Sequence, residues 1–161
     1  MLEKLEILNL LDQANIEYKL HEHVAVYTMD EMLQLELPKL ESVAKNLFVR
    51  DDKKQNYYIL VLKGNRSVRL KDIKEKIESR PLSFGSEADL ERYLMLEKGA
   101  VTPFGVLNDS SKKVKIYIDQ HFKGSQIAVH PNTNSATVWL NADDLVSLLL
   151  NEGYDASYIS L

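Results

Sequence analysis

The chain has 161 residues, 45% of them apolar and 27% charged, with a formal net charge of −4 at pH 7. This composition describes one globular domain able to bury a core, and excludes a disordered chain or one coated in basic charge. Cysteine is absent, which excludes a disulfide scaffold, a thiol nucleophile and any Cys-ligated metal centre.

Acidic Glu3 and Glu6 and the lack of a cleavable apolar stretch argue against a secretory leader. The longest apolar runs, such as Tyr57–Leu62, fall far short of the roughly 20 residues that span a bilayer. A soluble cytoplasmic domain is expected. Leu2, Leu5, Leu8 and Leu11 recur at helical spacing, so residues 2–14 are predicted as an amphipathic helix. Ile16–Leu20 alternates apolar and polar residues and reads as a strand. Thr28 and Glu31 have the spacing of a capping box, and the short helix that follows should stop before Pro38.

Leu47–Arg50 and Tyr57–Leu62 read as a hairpin around the polar loop Asp51–Asn56. Lys71–Ser79 is predicted as a short, exposed helix. Ser86 should cap a further helix, Glu87–Glu97, with Gly99 as its left-handed C-cap. Val114–Ile118, Ile127–His130 and Ala136–Leu140 are predicted strands. Asn141 should cap the last helix, Ala142–Asn151, which Gly153 closes. Helices at both ends, about six or more strands and hairpin-length connections predict a single α+β domain over residues 1–161. Its central sheet should be mostly antiparallel and flanked by helices.

Charge is unevenly spread. Lys45 to Arg80 holds eleven basic and five acidic residues, so that stretch is positive while the remainder is strongly acidic. It reads either as a polyanion-facing surface or as a solvated helix face and hairpin tip.

Familiar catalytic templates are missing. There is no dinucleotide fingerprint, phosphate-binding loop, His-Glu-x-x-His pair or Gly-x-Ser-x-Gly elbow. His21 and His23 supply two ligands at most, too few for a catalytic zinc, and no metal site is expected. His130 ends an apolar strand and precedes Pro131 and a polar Asn/Thr loop, which suits an orienting group or a structural turn equally. The loop Gly99-Ala100-Val101-Thr102-Pro103-Phe104-Gly105 lets backbone N–H groups approach a ligand, though a plain helix-to-strand connection has the same features. Lys45 is a compact cation suited to a phosphate, and Asn46 to a sugar hydroxyl or a carbonyl.

Three motifs occur in order: Lys45-Asn46-Leu47-Phe48, Gly99 to Gly105, and His130-Pro131-x-Thr-x-x-Ala-Thr. Together they resemble the free-standing prolyl-tRNA editing proteins of the YbaK and prolyl-tRNA synthetase insertion-domain family. The resemblance runs from about His21 to Ala156. It is nearest the branch that deacylates alanyl-tRNA(Pro). It implies a YbaK-like fold, a cytoplasmic hydrolase, and no metal or organic cofactor. By position, Lys45 matches the family's essential lysine, expected to hold the 3′-terminal adenosine or its phosphate. Asn46 matches the neighbouring asparagine and His130 a pocket histidine; these three form the expected catalytic set. Gly99, Ala100, Val101, Thr102 and Pro103 match a loop expected to surround the aminoacyl carbonyl. Val24, Val26, Met29, Met32 and Val101 are candidate pocket walls. Val24-Ala25-Val26 departs from relatives that carry prolines there.

The acceptor end of tRNA(Pro) is the implied partner, tracked by Arg50, Lys63, Arg66, Arg69 and Arg80 through salt-dependent phosphate contacts. Prolyl-tRNA synthetase is a possible second partner, and a monomer is expected. The alternatives are a deacylase for Ser-, Cys- or non-protein aminoacyl-tRNA, or a non-catalytic module sensing amino acid or tRNA.

Overall fold

The computed structural model describes residues 2–64 and 66–161. Helix α1, Lys4–Gln13, buries Ile7, Leu8 and Leu11, so the leucine spacing is realised with ends trimmed by a residue or two. Strand β1 is Tyr18–Glu22, shifted two residues beyond the expected start and end. Helix α2, Met29–Gln34, is capped by the Thr28 side chain, which accepts from Glu31 N–H. The Glu31 carboxylate reaches Tyr27 N–H at 3.3 Å rather than that of Thr28.

Strands β2, Ala44–Asp51, and β3, Tyr57–Lys63, form the expected hairpin. Residues 57–62 of β3 are all buried, as befits a central strand with both faces covered. Helix α3 is Leu70–Lys76. A short edge strand, β4, Leu82–Phe84, pairs with β2.

The helix expected over Glu87–Glu97 is broken. Ser86 caps only α4, Glu87–Asp89, which passes into a π-turn, Leu90–Leu94. Met95, not Gly99, takes the left-handed position that ends it. Strands β5, Val114–Asp119, β6, Gln126–Val129, and β7, Ala136–Asn141, lie close to expectation, but His130 falls just outside β6. Helix α5, Ala142–Asn151, starts after Asn141, whose side chain makes no cap bond. Strand β8, Ala156–Ile159, completes the element order.

The α+β class holds, with the strands divided between two sheets. The smaller, β1-β7-β6, is antiparallel. The larger, β4-β2-β3-β5-β8, is mixed, with β5 parallel to both β3 and β8. Inner faces of both sheets share one core with α1 and α5, in which Ile59, Val61 and Ile116 join Ile127, Val138 and Leu140. On the outer face of the small sheet, Ala128 and Trp139 pack with Val26, Met32, Leu37 and Val43 around α2. Among the described residues, a single parallel bridge, Val43 to Ala128, links the two sheets. No helix among the described residues is long and apolar enough to cross a membrane.

Candidate active site

A cavity of about 230 Å³ opens beside that bridge. Val26, Met29, Met32, Val43 and Ala128 supply apolar wall; Lys45, Asn46, Gly99, Val101, His130 and Thr137 are among the other residues on the border. The three separated motifs therefore meet in one hollow. Sheet topology explains why: β2 starts at the bridge, β6 ends there, and the 99–102 loop runs between them.

Adjacent Lys45 and Asn46 leave β2 on opposite faces. Lys45 Nζ reaches Arg66 O at 3.5 Å, in the connection after β3. Asn46 turns toward the loop and donates from Nδ2 to Val101 O at 3.2 Å. Because Nδ2 must face that carbonyl, the amide orientation is fixed, and Asn46 Oδ1 is buried without a partner. An unmet buried acceptor costs about 1–3 kcal/mol.

Gly99 has φ +84, and a Cβ there would stand 2.6 Å from Tyr27 O. Its missing side chain serves close packing against the N-terminal segment, not the helix end. Ala100 N–H is spent on Glu97 O at 3.1 Å. Gly99, Val101 and Thr102 N–H make no hydrogen bond among the described residues, and Gly99 and Val101 border the cavity. Buried Thr102 donates from Oγ1 to His130 O at 2.6 Å and holds the loop to the strand end. Pro103 begins a 3-10 turn, Pro103–Asn108, behind the site.

His130 Nδ1 lies 2.8 Å from Ala136 O. Since a carbonyl only accepts, Nδ1 carries the proton and Nε2 keeps its lone pair. Burial holds this imidazole below its ordinary pKa; His23 pushes the same way, while the Ala136 bond opposes. The His23 ring lies 6.1 Å from that of His130. Its Nδ1 faces Val24 O at 2.7 Å, so its Nε2 accepts from the hydroxyl of buried Thr137 at 2.8 Å. Sequence reasoning passed over this His23–Thr137 pair, although Thr137 closes the third motif. The Val43 and Ala128 wall was also missed, because it depends on a contact between two sheets.

Val24, a candidate wall residue, is 72% exposed and does not border the cavity. The five expected phosphate-tracking residues do not form one free surface. Arg50 is paired with Asp89, and Arg66 Nη1 with Asp119 at 2.7 Å. Arg66 Nη2 also donates to Leu161 O at 2.7 Å. The carboxylate side chains are 13% and 0% exposed, so releasing Arg66 weakens the pairing of a buried charge and releasing Arg50 that of a half-buried one. Burial pushes the Asp119 carboxyl up, but bonds from His121, Lys63 N–H and Arg66 hold it below its ordinary pKa. Arg80 pairs with Asp52 at 2.6 Å and Arg69 with Asp72 at 3.8 Å, both pairs in solvent. Lys63 Nζ touches His121 O at 3.4 Å. These last three exchange partners at little cost.

The chamber is bordered by apolar side chains, main-chain groups, one ammonium group and a neutral imidazole, with no acid or thiol at its border among the described residues. Residues 23–148 match the aminoacyl-tRNA editing domain family, and the chain belongs to that family. It is an aminoacyl-tRNA hydrolase of the editing class. Among curated relatives, the prolyl-tRNA editing protein ProX of Acetoanaerobium sticklandii is 43% identical over 152 residues, covering 94% of this chain and 93% of that protein. Prolyl-tRNA synthetase associated domain-containing protein 1 of Bos taurus is 31% identical over 143 residues, covering 83% and 81%. A solved structure titled hypothetical protein APE2540 superposes with a TM-score of 0.76 over 99% of this chain and 100% of that one. At 16% identity, that likeness speaks for the fold alone.

Proposed function

We propose that the protein clears mischarged tRNA(Pro) in trans, with alanyl-tRNA(Pro) as its main substrate. One observation carries the reading: Lys45, the Gly99–Val101 loop and His130 border the same apolar cavity. The 43% identity to a prolyl-tRNA editing protein supports tRNA(Pro) as the substrate and prolyl-tRNA synthetase as a working partner.

Selectivity follows from size. A synthetase pocket shaped for proline discriminates weakly against alanine, because a few missing methylenes are worth only about 1–3 kcal/mol. A second chamber walled by Val26, Met29, Met32, Val43 and Ala128 admits the alanyl methyl and excludes the bulkier ring.

Chemistry follows from position. An aminoacyl ester is already activated, so an oriented water and fixed donors suffice. Lys45 anchors the terminal adenosine through its phosphate. The ester carbonyl points at Gly99 and Val101 N–H, which stabilise the developing oxyanion. The terminal ribose 2′-OH assists the attacking water, with His130 Nε2 and Asn46 orienting the reacting group. Water adds to the carbonyl carbon, the C–O bond to the ribose breaks, and the 3′-oxygen leaves with a proton.

The test is a panel of tRNA(Pro) charged with alanine, serine, cysteine and proline. Fast loss of the alanyl ester with the prolyl ester spared is the expected result. Rapid clearance of the prolyl form overturns the size argument. Binding without ester loss would make the chain a sensor.

A further inference from the structure

We propose that Phe84 is a stacking platform for an unpaired base of the tRNA 3′ tail, one of those that precede the terminal adenosine. The proposal rests on the editing reading above and extends it from the cavity to the surface that the tail crosses.

Phe84 ends the edge strand β4 and is 61% exposed. It stands opposite Val49 of β2, so the two side chains share the outer face of the large sheet. There Val49 is buried with Tyr58, Leu60 and Ile73, and Leu82 packs against them, but the Phe84 ring does not join that cluster. None of the ring–ring or cation–ring contacts among the described residues involves it. The backbone that carries this open ring is nonetheless pinned. Phe84 is paired with Val49, Gly85 N–H donates to Phe48 O at 2.9 Å, and Ser86 caps α4. Gly85 lies so close to the Phe48 ring that a Cβ there would stand 2.5 Å from it. An aromatic side chain on a fixed backbone gives up little freedom when a ligand covers it.

Its position points to the tail. Strand alternation puts Lys45 and Leu47 on the same face as Val49. Leu47 is the diagonal neighbour of Phe84 across the β2–β4 pair, and it borders the cavity. Lys45 and Leu47 thus lead along β2 from the cavity to the ring. From Lys45 to Val49 the strand advances about 13 Å. Stacked nucleotides advance about 3.4 Å each. The ring therefore lies within a few nucleotides of a terminal adenosine held by Lys45, which is the span of the unpaired tail.

A base suits this surface better than a protein partner does. Between Lys45 and Arg80 basic residues outnumber acidic ones by eleven to five, the charge that a phosphate backbone requires. A stable protein interface buries about 1,000 Å² or more, whereas one ring beside a partly covered leucine matches a single base. Stacking on an aromatic ring tolerates any sequence, as befits a tail that ends in CCA on every tRNA. Phe84 supplies affinity and direction, and selection among esters stays with the cavity.

The test titrates uncharged tRNA(Pro), and the same tRNA trimmed of its unpaired 3′ tail, against wild type and the variants Phe84→Ala, Phe84→Leu and Phe84→Trp. Phe84→Ala should weaken binding of the intact tRNA by roughly 5- to 100-fold, the loss of one stacked base. Phe84→Leu should lose as much, and Phe84→Trp should bind as tightly as wild type. The trimmed tRNA should bind all four proteins alike. An equal loss with the trimmed tRNA, full binding by Phe84→Leu, or no loss in Phe84→Ala each overturns the proposal. A second measurement reads the contact directly. A fluorescent base analogue is placed in turn at each unpaired position before the terminal adenosine. Wild type should quench one position that Phe84→Leu leaves bright; identical responses at every position overturn the proposal. Failure of the charged-tRNA panel with the tail-dependent loss intact would sink the choice of ester and leave the platform standing.

Discussion

Gly99 packs so closely against Tyr27 that a methyl group on its α-carbon would stand 2.6 Å from the Tyr27 carbonyl oxygen. That closeness, together with φ +84, sets the height of the 99–102 loop above the cavity. Gly99→Ala meets both the collision and a left-handed backbone. It should cost about 1 kcal/mol or more in stability. Displacing the loop donors by even about 1 Å should lower kcat/KM for the alanyl ester by roughly 100-fold. Thermal melting and single-turnover deacylation check the two effects separately.

Lys45→Ala is expected to behave differently. The ammonium group makes one long bond, to Arg66 O at 3.5 Å, so little folding energy depends on it. Melting should move by no more than about 0.5 kcal/mol equivalent. Deacylation should drop by about 100-fold or more, the scale of losing a fixed electrostatic group. Near-normal turnover would remove Lys45 from the mechanism.

His130 predicts a pH dependence with a definite sign. Burial depresses its folded-state pKa below the ordinary 6.5, so the unfolded chain takes up the proton first as pH falls. Stability from the neutral, buried ring is complete above about pH 6.5 and is lost as pH drops through the depressed value. His130→Asn keeps a donor for Ala136 O and removes the titration. The stability gap between wild type and this variant should be constant above that pH and should move against wild type below it. Denaturant melts between pH 7.5 and pH 5 give the answer; a gap independent of pH overturns it.

The arginines divide into two groups. Arg66→Ala leaves one oxygen of buried Asp119 with fewer donors and should cost about 1–3 kcal/mol. Arg80→Ala breaks a solvent-exposed pair and should leave melting unchanged. If Arg80 swaps Asp52 for a phosphate, its loss should reduce the salt dependence of tRNA binding by about one unit of log–log slope. Titrations at several salt concentrations measure it.

Much of the molecule was legible in advance where the signal is local. The leucine spacing of α1, the Thr28 cap and the β2–β3 hairpin all depend on neighbours a few residues away. Long-range elements were not. Strand β8 is four residues of Ala-Ser-Tyr-Ile held by parallel pairing to β5. Strand β4 is three residues ending in an exposed Phe84. In sequence Gly99 reads as a helix end because φ > 0 is shared by caps and close contacts, and only the position of Tyr27 tells them apart. The motifs carry the polar border of the cavity, while period-two alternation sends Lys45 and Asn46 to opposite faces of β2. The carboxylate partners of Arg50 and Arg66 lie 39 and 53 residues away and leave no trace in local charge.

The Val43–Ala128 bridge gives the chamber an unusual dependence. Both residues are walls, and among the described residues they also form the one backbone bridge between the two sheets, beside the core the sheets share. The calibre of the hollow is therefore a property of the seam, not of its lining alone. Substitutions deep between the sheets, at Ile127 or Val138 for instance, would retune which acyl groups fit without touching any residue a substrate meets.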